Sequence, residues 1–233
     1  MARVIAALIR HGEYHQQADT PSAHQPYGVT AQGRETVLEA ADHFALLLEK
    51  NKLAVAKRID SSHMLRAWQT ALVFVERLYQ HQMPSTLIDS YDALAERGLG
   101  AAANLTIQQI EKIIVEDPRY EEPPKDWKSN SYYCLPFQGA ESLIQAGERV
   151  AGHLRQQMEK LRTSADVDTV KLFVGHGAAF RHAAFHLGVL EYEQLAQLSM
   201  HHAQPVLIEY RDDDSWHHVG GDWKIRDAGN GLD

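Results

Sequence analysis

Val4-Ile5-Ala6-Ala7-Leu8-Ile9-Arg10-His11-Gly12 is the stretch that decides the fold. Its first six residues are apolar without alternation, the pattern of a strand covered on both faces, and such strands belong to parallel sheets flanked by helices. An arginine, a histidine and a glycine follow where the strand leaves the sheet. Residues 170–174, apolar apart from Lys171, read as a second strongly buried strand ending at Gly175-His176-Gly177.

Helical patterns follow both runs. After a loop at 12–29, rich in His, Gln, Pro and Ser, Thr30 reads as an N-cap ahead of Val37, Ala41, Phe44 and Leu48. Residues 178–187 read as the helix after the second run. Between them, Ile59 leads a short strand into Ser61-Ser62, and Ala67, Ala71, Phe74, Val75 and Leu78 mark an amphipathic helix. Leu87 and Ile88 suggest another strand. Residues 94–104 read as a loop before a helix carrying Ile107, Ile110, Ile113 and Ile114, and a long helix covers 141–161 with Val150, Leu154, Met158 and Leu161. Residues 205–210 and 216–219 form a terminal hairpin through Asp212-Asp213-Asp214, and the tail after Asp227 is expected to fray. Alternating strands and helices predict a three-layer α/β/α sandwich with a mostly parallel central sheet, as one domain over 1–233.

Residues 117–139 are the least regular, with Pro118, Pro123, Pro124 and Pro136 beside Trp127, Tyr132 and Tyr133. They read either as a substrate lid or specificity insert whose aromatics frame a pocket, or as a packed excursion without a binding role.

A net charge of −8 disfavours nucleic acid or an anionic membrane as partner, since either needs a basic face. No stretch approaches the roughly 18 apolar residues of a membrane span, and residues 1–9 are too short for a signal-peptide core. Cys134 is the only cysteine, which excludes an intrachain disulfide and points to a reducing cytoplasm; it reads as a buried, inert thiol. The terminal hairpin offers an edge for a homodimer.

Ligands of open α/β sheets bind beyond the carboxyl ends of the strands, where His11, His176 and, after Ser61-Ser62, Arg66 all fall. Arg10, Arg66, His11 and His176 are therefore expected to converge on one small anion. Guanidiniums clamp phosphoryl oxygens with several donors, and the amides at Gly177, at a helix start, add to the positive field.

These residues resemble the histidine phosphatase superfamily, the phosphoglycerate-mutase-like or branch 1 type. The likeness runs in order through Leu8-Ile9-Arg10-His11-Gly12-Glu13, Val29-Thr30 with Gly33, Ser61-Ser62, Arg66-Ala67, Gln69-Thr70-Ala71, Glu96, residues 139–142 and Val174-Gly175-His176-Gly177. The resemblance implies a phosphoric monoester hydrolase of the histidine acid phosphatase type, acting on a phosphorylated small molecule or phosphopeptide with no cofactor. His11 would be the nucleophile, Arg10, Arg66 and His176 would hold the phosphoryl oxygens, and Glu96 would be the general acid. Neighbouring positive charge keeps an imidazole neutral and nucleophilic. Fixed cationic donors stabilise the transferring group without metal. Glu13, beside the nucleophile, is the rival acid.

Two places depart from the family pattern. Where members often carry Ser or Thr and then Asn, this chain has Tyr14 and Gln17, and Gln17 is expected to supply a substituting amide to the phosphate. Residues 10–15 are similar to those of the mitochondrial protein-phosphatase branch. The stretch comparable to the basic insert of phosphoglycerate mutases has Lys125 and Lys128 without an arginine pair, which demotes a mutase. A catalytically silent phosphate-binding scaffold is the reading from another class, and it has no need of both an acid and a nucleophile. His182 and His186 stand four apart on a helix, with His201-His202 and His217-His218 nearby in sequence, but no Glu follows His182, so no metal site is predicted. His202 is expected to border the pocket.

Overall fold

In the computed structural model, which describes residues 2–21, 24–79 and 87–226, strand β1 (Val4–Arg10) lies inside the sheet with both faces covered. Val4, Ala6 and Leu8 join the core beneath helices α4 (Leu143–Ser164) and α5 (Gly177–His186). Ile5, Ala7 and Ile9 join the opposite core beneath α1 (Ala31–Asn51) and α2 (Leu65–Leu78). The strand is apolar from Val4 to Ile9 because it feeds two cores. Leu8 and Ile9, both fully buried, each contribute roughly 2 kcal/mol from burial.

The seven-stranded sheet runs β4 (Ile88–Tyr91), β3 (Ile59–Ser62), β5 (Thr169–Gly175), β1, β7 (Val206–Tyr210), β8 (Trp216–Gly220), with β2 (Ala54–Val55) also pairing with β5. The strands from β4 to β1 are parallel, and β7 and β8, the predicted hairpin, are antiparallel. The architecture is the expected α/β/α sandwich with a mostly parallel sheet. Its register positions the site. Arg10 pairs with Gly175 and Ser61 with Val174, so His11, Ser62 and His176 leave three adjacent strands at one level.

Local chemistry sets the helix ends. The Thr30 hydroxyl accepts from Gly33 N–H at the start of α1, and a Cβ at Gly33 would collide with the Glu13 carbonyl, so only glycine lets α1 begin against the loop after β1. Ser142 and Gln145 form a capping box that starts α4 at Leu143, and Thr106 with Gln109 does the same for α3 (Ile107–Glu116). Gly147 lets α4 pack directly on the α5 backbone at His182.

Several details differ from expectation. Residues 94–104 are not a plain loop, because 3-10 turns form at Asp92–Leu94 and Gly100–Ala102. The hairpin is not terminal. A strand β9 (Trp223–Ile225) follows and pairs with β6 (Leu198–Met200), after the short helix α6 (Gln194–Gln197), in a second, two-stranded sheet. Three-residue strands are too short to show a period. Cys134 is exposed rather than buried, and partial burial of its thiol raises its pKa. Residues 117–139 wrap Trp127, which is buried with Leu99, Ala102, Ile110, Ile114 and Leu135 and donates its indole N–H to Glu111 at 2.9 Å. The tail after Asp227 lies outside the described residues. Among those described, no helix is long and apolar enough to cross a membrane.

Candidate active site

His11 leaves β1 with only 4% of its surface exposed. Its Nδ1 lies 2.7 Å from the Gly12 carbonyl, and a carbonyl only accepts, so Nδ1 carries the proton. The lone pair is left on Nε2. Burial, and then the positive fields of His176, Arg66 and Arg10, hold its pKa well below the ordinary histidine value. The ring is neutral and basic at one nitrogen, as a nucleophile requires.

Arg66 and His176 sit together behind it, both with no exposed surface. The His11 and His176 rings are 5.1 Å apart. Arg66 Nη2 lies 3.3 Å from His176 Nδ1, and since guanidinium only donates, Nδ1 accepts; Nε2–H then donates to the Ser62 hydroxyl at 3.0 Å. Burial, then the charge of Arg66, pushes the His176 pKa far down. Arg66 also donates to the Gln25 carbonyl at 2.9 Å, drawing the loop after β1 over the site. Gln69 and Thr70, one turn along α2, secure that loop by accepting from the N–H groups of Val29 and Gly12.

A cleft of about 550 Å³, including its open mouth, lies over His11. Arg10, Gly177 and Glu96 line it, and Arg10 is held by the Met200 carbonyl at 2.9 Å. Glu96 is 9% exposed, with one oxygen accepting from Arg97 N–H at 2.9 Å. Glu13 also borders the cleft but is exposed, so Glu96 is the carboxyl held in one place. Arg66 and His176 do not reach the wall. The Tyr14 ring lies 4.4 Å from the Arg66 guanidinium and covers it.

The other predicted positions divide. His202 does border the cleft, with Nδ1–H donating to the His11 carbonyl at 2.7 Å. Gln17 does not. Its amide donates to the Tyr27 hydroxyl at 2.7 Å in an exposed position, and the neighbouring Gln16 lines the cleft instead. Which side chains of this irregular loop face the cleft depends on its backbone path, which the sequence does not display. Trp127, Tyr132 and Tyr133 are not on the wall, and Tyr132 stacks on Tyr192 at the surface. His182 and His186 are committed to the protein, through Ala178 and Ser131 for the first and the Ile144 carbonyl for the second. Among the described residues no three His, Cys, Asp or Glu side chains gather as metal ligands.

Four wall residues were missed, Gln16, Ala178, Arg181 and Ser199. Arg181 stands four residues after Gly177 on α5, a helical repeat that the sequence displays, and donates to the Leu198 carbonyl at 2.5 Å. Ser199 comes from β6, which left no sequence signal.

The sequence profile of the histidine phosphatase superfamily (branch 1) matches residues 6–220. No curated protein sequence matches the chain. Among solved structures, a phosphoglycerate mutase from Bacillus anthracis superposes with a TM-score of 0.70 at 15% identity, covering 94% of this chain and 93% of that one. A mycobacterial glucosyl-3-phosphoglycerate phosphatase gives 0.62 at 21%, covering 96% of each chain. The alpha-ribazole phosphatase of Shigella flexneri gives 0.65 at 18%, covering 92% of this chain and 94% of that one. At such identities the likeness shows a shared, phosphoglycerate-mutase-like fold.

Proposed function

Because the chain belongs to branch 1 of the histidine phosphatase superfamily, we propose that it hydrolyses phosphomonoesters of small molecules through a phosphohistidine at His11, without a metal ion. The observation that carries this reading is the state of His11: buried, neutral, with Nε2 basic and a cleft over it lined by Arg10, Gly177 and Glu96.

The reaction follows from those groups. The Nε2 lone pair attacks phosphorus, the bond to the leaving oxygen breaks, and Glu96 gives that oxygen its proton. Arg10 and the first N–H groups of α5 hold the phosphoryl oxygens, with the buried Arg66 charge reinforcing them and donating directly once the Tyr14 ring turns aside. Water then attacks phosphorus, Glu96 takes its proton, and the P–N bond breaks to release phosphate. Glu96 fits the acid role better than Glu13 because a backbone N–H anchors it inside the cleft. A reducing cytoplasm suits the single thiol.

The test is a quench experiment with a ³²P-labelled phosphomonoester in the presence of a chelator. An acid-labile, alkali-stable phosphoenzyme that is absent in His11→Ala is expected, with the label leaving as inorganic phosphate. Label persisting in His11→Ala, or turnover lost on chelation and restored by zinc or manganese, would overturn the reading. Label passed to a second hydroxyl would mean a mutase.

A further inference from the structure

The chain leaving β6 crosses the end of β1, where His202 bridges to Arg10 and the Ala203 N–H donates to the Arg10 carbonyl at 2.8 Å. Ala203 has a φ of 60°, a left-handed conformation that a residue with a Cβ adopts at a cost. That turn sets the His202 ring on the cleft wall, 5.6 Å from the ring of His11. Its Nδ1–H is committed to the His11 carbonyl at 2.7 Å, so the ring gains and loses its second proton at Nε2.

The charged and titratable groups that share this wall are Arg10, His11, Glu13, Tyr14, Glu96 and Arg181. Two arginines face two carboxylates, so with His202 neutral the wall side chains carry no net formal charge to meet a phosphoryl dianion. Arg66 lies under Tyr14, and His176 is buried beneath the cleft. A protonated His202 adds a cation on the wall itself, and its charge also helps to keep His11 neutral. We propose that His202 is a further catalytic residue, which as an imidazolium donates Nε2–H to an oxygen of the phosphoryl group. This rests on the phosphomonoesterase reading and adds a ligand whose charge depends on pH.

The experiment compares wild type with His202→Asn, whose amide can keep the bond to the His11 carbonyl but carries no charge. kcat/KM for p-nitrophenyl phosphate and inhibition by inorganic phosphate are measured between pH 6 and pH 8.5, where ionisation of Glu96 and of the ligand is common to both proteins. Wild type is expected to exceed the variant roughly tenfold at pH 6 in both quantities and less than about twofold at pH 8.5, as the ring loses its charge. In ¹⁵N NMR of the wild-type protein, inorganic phosphate is expected to move the His202 ring to its imidazolium signature. Equal values in the two proteins, a ratio that does not change with pH, or a His202 signature unmoved by bound phosphate would each overturn the proposal. If wild type forms no phosphoenzyme and turns nothing over while phosphate still protonates His202, the phosphomonoesterase reading falls and His202 stands as an anion ligand only.

Discussion

Replacing Ser62 by alanine tests how the buried half of the site is organised. The Ser62 hydroxyl accepts from His176 Nε2–H at 3.0 Å, and both residues are fully buried. On the other side of the ring, Nδ1 accepts from Arg66 at 3.3 Å. Losing the hydroxyl strands an N–H away from water, which costs about 1–3 kcal/mol. The ring cannot escape by moving its proton to Nδ1, because that would set two donors against each other and push Arg66 from its place. If most of this cost falls on the arrangement that binds the transition state, kcat/KM drops by roughly fivefold to a hundredfold. Ser62→Thr keeps the hydroxyl and is expected to recover most of the activity. The assay is p-nitrophenyl phosphate turnover beside ¹⁵N NMR of the His176 ring, which reports the tautomer directly. A Ser62→Ala protein with kcat/KM within twofold of wild type and an unchanged Nε2–H signature would refute the reasoning.

Glu96→Gln is expected to slow an alkyl phosphate at least about a hundredfold and p-nitrophenyl phosphate much less, since nitrophenolate leaves without a proton; equal losses on the two substrates would remove Glu96 from the acid role. Acid should weaken the fold. The His182 pKa is lowered to about 4, mainly by burial, so between the unfolded value near 6.5 and that figure the unfolded chain binds the extra proton. The stability from keeping this ring neutral is present above pH 6.5 and is lost as pH falls toward 4. By pH 5 that loss is about 2 kcal/mol from His182 alone, with His11 and His176 shifted in the same direction. Urea midpoints at pH 7 and pH 5 measure it, and equal midpoints would contradict the buried, neutral assignment.

The sandwich was legible because residues 4–9 and, Lys171 apart, residues 170–174 are apolar without alternation, as a sheet covered on both faces requires. The helix starts were legible from Thr30 and from the spacing of Val37, Ala41, Phe44 and Leu48, all of which are buried. The short pair β6 and β9 was not, because three residues carry no period. Gln17 and the aromatic residues of 117–139 were placed by type, and type does not say where an irregular backbone points them. Cys134 was read as buried on the habits of cysteine, whereas its exposed position follows from the path of the segment around Trp127.

What the sequence determined by itself is which chemical groups leave the carboxyl ends of the strands: Arg10 and His11 after one, Ser62 and Arg66 after another, His176 after the third. Strand periodicity and strand-end position are local properties, so a single chain displays them. The tertiary structure alone decided which of those groups face the cleft and which lie beneath it. Arg10 and His11 reach it, whereas Arg66 lies under Tyr14 and is tied to Gln25, and His176 is buried and tied to Ser62. Burial and hydrogen-bond partnership depend on groups more than a hundred residues apart in the chain, as Ser62 and His176 are, and they appear only when the sheet register brings those groups to one level.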